Sequence, residues 1–367
     1  MSLTGLTPGP RSRTGTAPDE EAALETFFQN GWTDGLPVVI PTPERVENML
    51  VFTGGLDRDV IVGVLGPAQG EATVEKIAVN AVMAGCLPEY MPILIAAVEA
   101  VADPEFNLGP IQATTHGAGP VIFVNGPARL DCSIQSGTGA LGPGYRANAT
   151  IGRALRLVLM NIGGGRPGSG DMALFGQPGK FTCCMAEAEE ESPFEPLHVS
   201  RGYSPETSTV TVLAAEAPHS VICLIDPDAP DNADRILRVL AEGLANMASN
   251  PIYMRRGMNA VILNPDHADE LAKAGLGRRE IQERLFELAV RRRGDLRRFG
   301  GPLVDEGDDD DLLTVVQDPS DFLVLVGGGR GLYSMVVNSW GGGPMGNIAI
   351  TKPVREEKAC LVPLSSG

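Results

Sequence analysis

Apolar residues along the chain recur with two spacings, one typical of helices and the other of short buried strands. Helical spacing marks residues 20–30, 43–50, 73–84, 88–102, 147–160, 232–247, 268–274 and 279–292, and short β-branched or apolar runs predict strands at 59–65, 121–124, 209–214, 220–225, 260–263 and 322–326. This order predicts an α/β fold of layered, mostly parallel or mixed sheets with flanking helices. The second half repeats the strand–helix–strand order of the first, so two pseudo-repeated α/β halves are an open alternative.

Breaks in the pattern divide the chain. We expect a flexible N-terminal tail over 1–18, an α/β half with glycine-rich site loops over 19–200, a second α/β half over 201–355 and a C-terminal tail over 356–367. The first segment is polar and has no apolar core after its arginines, so it is predicted not to be a signal peptide. The longest apolar stretch, 91–102, contains Glu99 and is too short to span a bilayer.

Composition narrows the classes of function. With 29 Lys plus Arg against 46 Asp plus Glu, the net charge is −17. Such a chain repels phosphate backbones and anionic lipid, so we expect neither a nucleic-acid nor a membrane partner. The 45 Gly and 29 Pro are concentrated at 117–179 and 327–346, which predicts a site built from loops.

Six cysteines lack CxxC spacing, which favours a cytoplasmic protein with reduced thiols over a zinc ribbon. Cys86 precedes Pro88, where a long helix is predicted to begin, and the N–H groups of a helix start lower the pKa of a thiol. In an extended run, Cys183 and Cys184 point to opposite faces, and Lys180 shares the face of Cys184. The alternative for both candidate thiols is an inert residue of the core.

Three of the four histidines, His116, His198 and His219, stand beside Gly or Pro turns, whereas His267 is predicted to belong to a helix start. None has HxH or HExxH spacing, so a metal site has to be assembled from separate loops. The glutamates that offer oxygen ligands are Glu187, Glu189, Glu190 and Glu216. The alternative for each histidine is a surface or capping residue.

The glycine-rich loops do not carry nucleotide motifs. Residues 162–171 lack the GK[ST] ending of a phosphate loop, and residues 327–331 lack the rest of a dinucleotide fingerprint. The second loop follows a predicted strand and is suited to an anion-binding nest. We therefore expect a carboxylate or another small anion, held by Arg330, Arg146 or Arg166.

Four motifs carry a resemblance to a known family: WTDGLP at 32–37, AGCLPEY at 84–90, GPGYRANATIGR at 142–153 and GQPGK at 176–180. Over about residues 31–343 the chain resembles an uncharacterised bacterial family related to the large domain of UGSC-motif (seleno)proteins. The resemblance implies thiol-based redox or carbon–sulfur chemistry, with the nucleophile on a partner subunit, because this chain has no UGSC or CGSC. It also implies roles for Cys86, His116, Arg146, Asn148, Asp171, Lys180, Cys184, His198 and His219.

Three hypotheses result, each with a homo- or hetero-oligomer. The first is a cytoplasmic oxidoreductase or lyase that acts on a small anionic organic substrate, with no cofactor favoured. Its candidate catalytic residues are Cys86, Cys184, His116 and His219, and its candidate substrate-binding residues are Arg146, Asn148, Lys180, Asp171 and Arg330. The second is a hydrolase or lyase with a divalent metal on His116, His198, His219 and Glu187. The third is a non-catalytic subunit that binds a thiol- or selenol-bearing partner.

Overall fold

The structure is a computed structural model that describes residues 2–5, 12–343 and 346–355. Its strands are β1 (Ser2–Gly5), β2 (Arg13–Thr16), β3 (Ile61–Leu65), β4 (Gly70–Thr73), β5 (Gly119–Asn125), β6 (Cys184–Ala186), β7 (Thr209–Ala215), β8 (His219–Ile222), β9 (Asn259–Leu263), β10 (Val290–Arg292), β11 (Leu312–Thr314), β12 (Phe322–Val326), β13 (Tyr333–Val337) and β14 (Ile350–Pro353). Its helices are α1 (Glu20–Gln29), α2 (Pro43–Leu50), α3 (Val74–Ala84), α4 (Met91–Ala102), α5 (Leu108–Ala113), α6 (Ala128–Asp131), α7 (Arg146–Asn161), α8 (Leu197–Ser200), α9 (Asn232–Leu244), α10 (Asn250–Met254), α11 (Pro265–Lys273), α12 (Arg278–Leu288) and α13 (Arg293–Gly300). The predicted α/β class is confirmed.

Capping residues set several helix boundaries. The Thr73 hydroxyl accepts a hydrogen bond from the first turn of α3, and Asn264 does the same for α11 through the N–H of His267. Gly85 ends α3 with a φ of 88°, a conformation that a side chain would strain. His267 therefore lies at a helix start, as predicted.

Two four-stranded mixed sheets form the centre of the molecule. Sheet I has the order β14-β7-β5-β6, and sheet II has the order β12-β9-β13-β8. In each sheet one outer pair is parallel (β5 with β6, β9 with β12), and the other neighbouring strands are antiparallel.

The two sheets share one topology and exchange their fourth strands. β5, β6 and β7 lie together in sheet I, but the next strand, β8, joins sheet II. In the same way β9, β12 and β13 lie in sheet II, and β14 returns to sheet I. This reciprocal arrangement fits two pseudo-repeated halves tied to each other by a strand. The predicted division at residue 200 falls between β6 and β7, so the two sheets do not divide there.

The sheets pack face to face, with helices on their outer sides. Alternate strand residues point to opposite faces, so Phe123 of β5 and Ile262 of β9 share the core between the sheets. Ile122 instead packs with α3, α4 and α7, and Val261 packs with α9, α11 and α12. The result is a four-layer arrangement of helices, two sheets and helices.

Some local predictions are wrong. The run 59–65 was predicted as a buried strand, but β3 pairs only with β4 and is largely exposed, because β-branched residues indicate strand propensity without fixing burial. Within the segment 1–18, which was predicted to be a flexible tail, Ser2–Gly5 and Arg13–Thr16 form the antiparallel pair β1–β2. The predicted tail 356–367 lies outside the described residues. Within the described ranges, no helix is long and apolar enough to cross a membrane.

Candidate functional site

A cavity of about 510 Å³ opens between α7 and the glycine-rich segment that follows it. Its lining combines charged with apolar side chains. The charged ones are Asp34, Arg156, Asp171 and Lys180, and the larger apolar ones are Met160, Pro167, Phe175 and Phe181. Most of this lining comes from residues 165–181, in agreement with the prediction of a site built from loops.

The charged side chains of this pocket are unequally paired. Lys180 Nζ lies 2.7 and 2.6 Å from the two carboxylate oxygens of Asp171, and Arg156 Nη1 lies 3.6 Å from the same carboxylate. Asp34 is already held by Arg153, at 2.8 and 2.9 Å. Two cations therefore share one carboxylate, and the pocket carries one positive charge in excess.

Burial makes this excess charge costly. Removal of water lowers the pKa of both Arg156 and Lys180, and the nearby Asp171 carboxylate offsets only part of that effect. A buried cation without a full counter-charge is stabilised by a bound anion. The pocket is accordingly suited to a small anionic ligand.

A histidine–glutamate pair lies at one end of sheet I. His116 precedes β5 and Glu216 follows β7, and the antiparallel register pairs Gly119 with Ala215, so both side chains come from the same end of the sheet. His116 Nε2 lies 2.6 Å from Glu216 Oε1. The other ring nitrogen, Nδ1, is buried and has no hydrogen-bond partner in the structure. A histidine held in this way is equipped for proton transfer.

The His116–Glu216 pair and the charged pocket are neighbours. The backbone N–H of Leu174, in the loop beside the pocket, donates to the Thr115 carbonyl at 3.0 Å. Gly119 permits a close approach, because a Cβ there would lie 3.1 Å from Lys180 Cγ and 3.4 Å from Arg156 Nη2. The segment that carries His116 thus runs along the pocket wall.

The Cys86 thiol differs from its prediction. It is buried, and its Sγ donates to the Thr150 carbonyl at 3.3 Å. Burial raises its pKa to about 12, and Arg146 opposes this only in part. The expected lowering of the pKa is wrong, because burial outweighs the favourable contacts of the thiolate. A 3₁₀ turn, Pro88–Tyr90, also separates Cys86 from α4, which begins at Met91.

The adjacent thiols face opposite sides, as predicted. Cys183 lies in the core between the sheets, and Cys184 lies in the core beneath α3, α4 and α7. Burial raises the pKa of Cys183 to about 12 and that of Cys184 further still. The predicted pairing of Lys180 with Cys184 is wrong, because Lys180 ends a 3₁₀ turn and its ammonium group contacts Asp171.

Two predicted substrate-binding residues hold backbone instead of lining the pocket. Arg146 is exposed and donates to the Gly85 carbonyl from Nε at 3.1 Å and from Nη2 at 2.9 Å. Asn148 is buried, accepts from the Gln135 N–H at 2.9 Å and donates to the carbonyls of Gln135 and Ala140. The Arg146 guanidinium therefore holds the C-terminal end of α3, and the Asn148 amide holds the loop before α7.

Arg330 also departs from its predicted role in anion binding. Its guanidinium lies 2.9 Å from both Asp266 and Asp269 and 2.7 Å from Glu191, on the surface beyond β12. Three carboxylates surround one cation there. Such an environment repels a further anion, so the prediction that Arg330 binds an anionic substrate is wrong.

The predicted metal-ligand set is not assembled. Across residues 12–343 and 346–355, no three His, Cys, Asp or Glu side chains come together as a metal site would require. His198 is buried, with Nε2 at 3.4 Å from a backbone carbonyl, and His219 is exposed on β8. Glu187 is buried and accepts from Asn125 Nδ2 at 2.6 Å. These three residues and His116 therefore do not form one coordination sphere.

Arg156 is the site residue that sequence reasoning missed. It lies between Leu155 and Leu157 on a helix whose surroundings are apolar, and an arginine in such a run is an unusual core residue. That signal was present in the sequence. Comparisons of the chain with models of protein families, with curated proteins and with solved structures find no match.

Proposed function

We propose that the protein is an enzyme that acts on a small organic carboxylate, with Lys180 and Arg156 binding the carboxylate and His116 transferring a proton. The observation that carries the proposal is the proximity of the His116–Glu216 pair to a pocket in which the buried Arg156 and the partly buried Lys180 share Asp171. An anionic substrate supplies the missing counter-charge, and the histidine supplies the base.

A lyase reaction fits these groups better than thiol redox chemistry. Nε2 of His116 shares a hydrogen bond with the Glu216 carboxylate, so the pair can accept one proton from a substrate. That proton comes from the carbon next to the substrate carboxylate, the C–H electron pair forms a double bond, and a leaving group on the adjacent carbon departs with its own electron pair. A thiolate leaving group makes this a carbon–sulfur lyase.

The thiols support the redox alternative less well. Only the thiolate is a strong nucleophile, and burial keeps Cys86 protonated at neutral pH, since its pKa is raised to about 12. The thiol- or selenol-bearing partner that the resemblance implies, the oligomer and the cytoplasmic location stay predictions.

Part of the substrate is expected to be apolar. Pro167, Phe175 and Phe181 line the same pocket as the cations, and the Phe175 side chain is fully exposed to solvent. Covering such surface with an apolar substrate body stabilises the complex. The preferred ligand therefore combines one carboxylate with a short hydrocarbon or thioether chain.

Ligand binding tests the pocket. We expect short thioether and alkyl carboxylates to bind in calorimetric titrations, and the corresponding amides not to bind. Lys180→Met should weaken carboxylate binding at least tenfold, whereas Arg298→Met, which removes an exposed cation, should leave it unchanged. Equal affinity for amides, or equal loss in the two variants, would contradict the proposal.

Turnover tests the role of His116. On a β-substituted carboxylate that the wild type cleaves, His116→Gln should lower kcat by about 10²–10⁴-fold, which is typical of a lost general base. Glu216→Gln should lower kcat less and shift the pH–rate profile, because this residue acts through His116. Cys86→Ala should retain the rate. Thiol chemistry would be favoured if Cys86→Ala lost activity and His116→Gln kept it.

A further inference from the structure

A second cavity, of about 600 Å³, opens at the seam between the two sheets, beside the edge strands β14 and β12. One wall includes Arg201 and Thr351, and the other includes Arg278, Gln282 and Leu323. None of its lining residues belongs to the pocket of Lys180. We call this cavity the seam cleft.

Arg201 brings an uncompensated charge to the seam cleft. Its Nε donates to Thr351 Oγ1 at 2.6 Å, and its Nη2 donates to the Ala349 carbonyl at 2.8 Å. Both partners are neutral, and no carboxylate of the described chain forms an ion pair with this guanidinium. Burial lowers the pKa of Arg201, which shows that its charge is partly desolvated. An anion within reach would lower the cost of burying it.

Arg278 has unmet hydrogen-bond donors in the same cleft. Its side chain is 8% exposed, and its Nε and Nη1 are buried without a partner. Its Nη2 donates to the Glu195 carbonyl and lies 3.6 Å from Glu187 Oε1. The other oxygen of that carboxylate accepts from the Leu197 N–H at 2.7 Å, and neither oxygen is an acceptor for Nε or Nη1 of the guanidinium.

The rim of the cleft carries one cation and two carboxylates, so its net charge is negative. Lys352 Nζ pairs with Asp103 at 2.7 Å, and Glu105 also lines the rim. The positive charge of the cleft is therefore concentrated at Arg201, which has no carboxylate partner in the described chain, and at Arg278, which shares the Glu187 carboxylate at 3.6 Å. A planar guanidinium matches the oxygen atoms of a carboxylate or phosphate group, which makes an oxyanion the fitting ligand.

We propose that the seam cleft binds the oxyanion group of a second small ligand, of the phosphate or dicarboxylate kind, between Arg201 and Arg278. This site is separate from the one that contains Lys180 and does not depend on the proposed reaction. Because its walls come from elements of both sheets, binding there also stabilises their packing. A bound ligand should therefore raise the unfolding temperature.

Titration with inorganic phosphate and with malonate tests this site, with chloride at matched ionic strength as the reference. We expect one of the two anions to bind and to raise the unfolding temperature, and its identity distinguishes a phosphate ligand from a dicarboxylate. In the Lys180→Met background, which weakens carboxylate binding at the first pocket, the anion should still bind; there, Arg201→Gln should weaken binding at least tenfold and Arg201→Lys should weaken it less.

A second pair of variants tests the site without touching the buried arginines. Ser320 is exposed and lines the cleft, so Ser320→Glu adds a negative charge there, whereas Ser320→Gln adds similar bulk without charge. Ser320→Glu should weaken anion binding several-fold more than Ser320→Gln does. The proposal is overturned if neither anion binds better than chloride, if Lys180→Met abolishes binding, or if both Arg201→Gln and Ser320→Glu bind as the wild type does.

Discussion

The thiol of Cys86 and the cations around Asp171 contact the same helix, α7, yet burial has opposite consequences for them. Near the start of α7, Cys86 donates to the Thr150 carbonyl within an apolar core. Two turns later, Arg156 extends toward the carboxylate that Lys180 also binds. Both Cys86 and the Asp171–Lys180 group were predicted to belong to a functional site, but only the side chains around Asp171 remain charged.

The difference arises because a thiol can be neutral near pH 7, whereas the guanidinium of arginine stays charged. Desolvation disfavours the charged form of any group. A thiol responds by keeping its proton, as the raised pKa of Cys86 shows. Arginine cannot lose its proton under ordinary conditions, so Arg156 needs a counter-charge. The same burial thus favours an inert thiol and leaves the cation in need of a counter-charge, which the proposed ligand supplies.

Removal of the shared carboxylate should have the largest effect on stability. Asp171→Asn leaves Lys180 and Arg156 buried without a counter-charge, so we expect the free energy of unfolding to fall by about 3–5 kcal/mol in urea denaturation. Carboxylate ligands should bind more tightly to the folded variant, because they replace the lost charge.

The double variant Asp171→Asn/Lys180→Met supplies the control. It removes one of the two unpaired cations, so it should recover part of the lost stability and lose the gain in affinity. If Asp171→Asn were as stable as the wild type, the shared carboxylate would not be compensating two buried charges.

Much of the fold could be predicted because its signals are local. The apolar run of β12 and the proline that opens α2 predicted those boundaries at Phe322–Val326 and Pro43–Leu50, as observed. The exchange of β8 and β14 between sheets could not be predicted, because it depends on long-range pairing of short strands that carry no local mark of their partners.

The site was predictable in its residue types but not in its groupings. His116, Asp171 and Lys180 were singled out, and the structure places them in one neighbourhood. The expected functions of Cys86 and Arg330 depended on whether each side chain met helix N–H groups or carboxylates. Those contacts come from distant segments, such as Thr150 for Cys86.

Serine substitutions should destabilise the protein more at Cys184 than at Cys86, although both thiols pack in the core that includes α7. Cys184 is 2% exposed among apolar side chains, so the hydroxyl of Cys184→Ser is buried without a partner, at a cost of about 1–3 kcal/mol. In Cys86→Ser the hydroxyl retains the Thr150 carbonyl as acceptor and should cost less. Urea denaturation under reducing conditions measures the free energy of unfolding of each serine variant, and Cys184→Ala and Cys86→Ala serve as references. Equal losses in the serine variants would show that the Thr150 carbonyl does not distinguish the sites.

Alkaline pH should reveal the smallest of these effects. The pKa of Cys86 is raised from 9.0 to about 12 on folding, so above pH 9 the unfolded chain releases this proton while the folded chain keeps it. The folded state then binds more protons, and its stability falls as the pH rises from about 9 toward 12. At pH 10 the loss from this one thiol is on the order of 1 kcal/mol relative to pH 7. Cys86→Ala should therefore lose less stability than the wild type between these pH values, and parallel losses would mean that the Cys86 thiol titrates alike in both states.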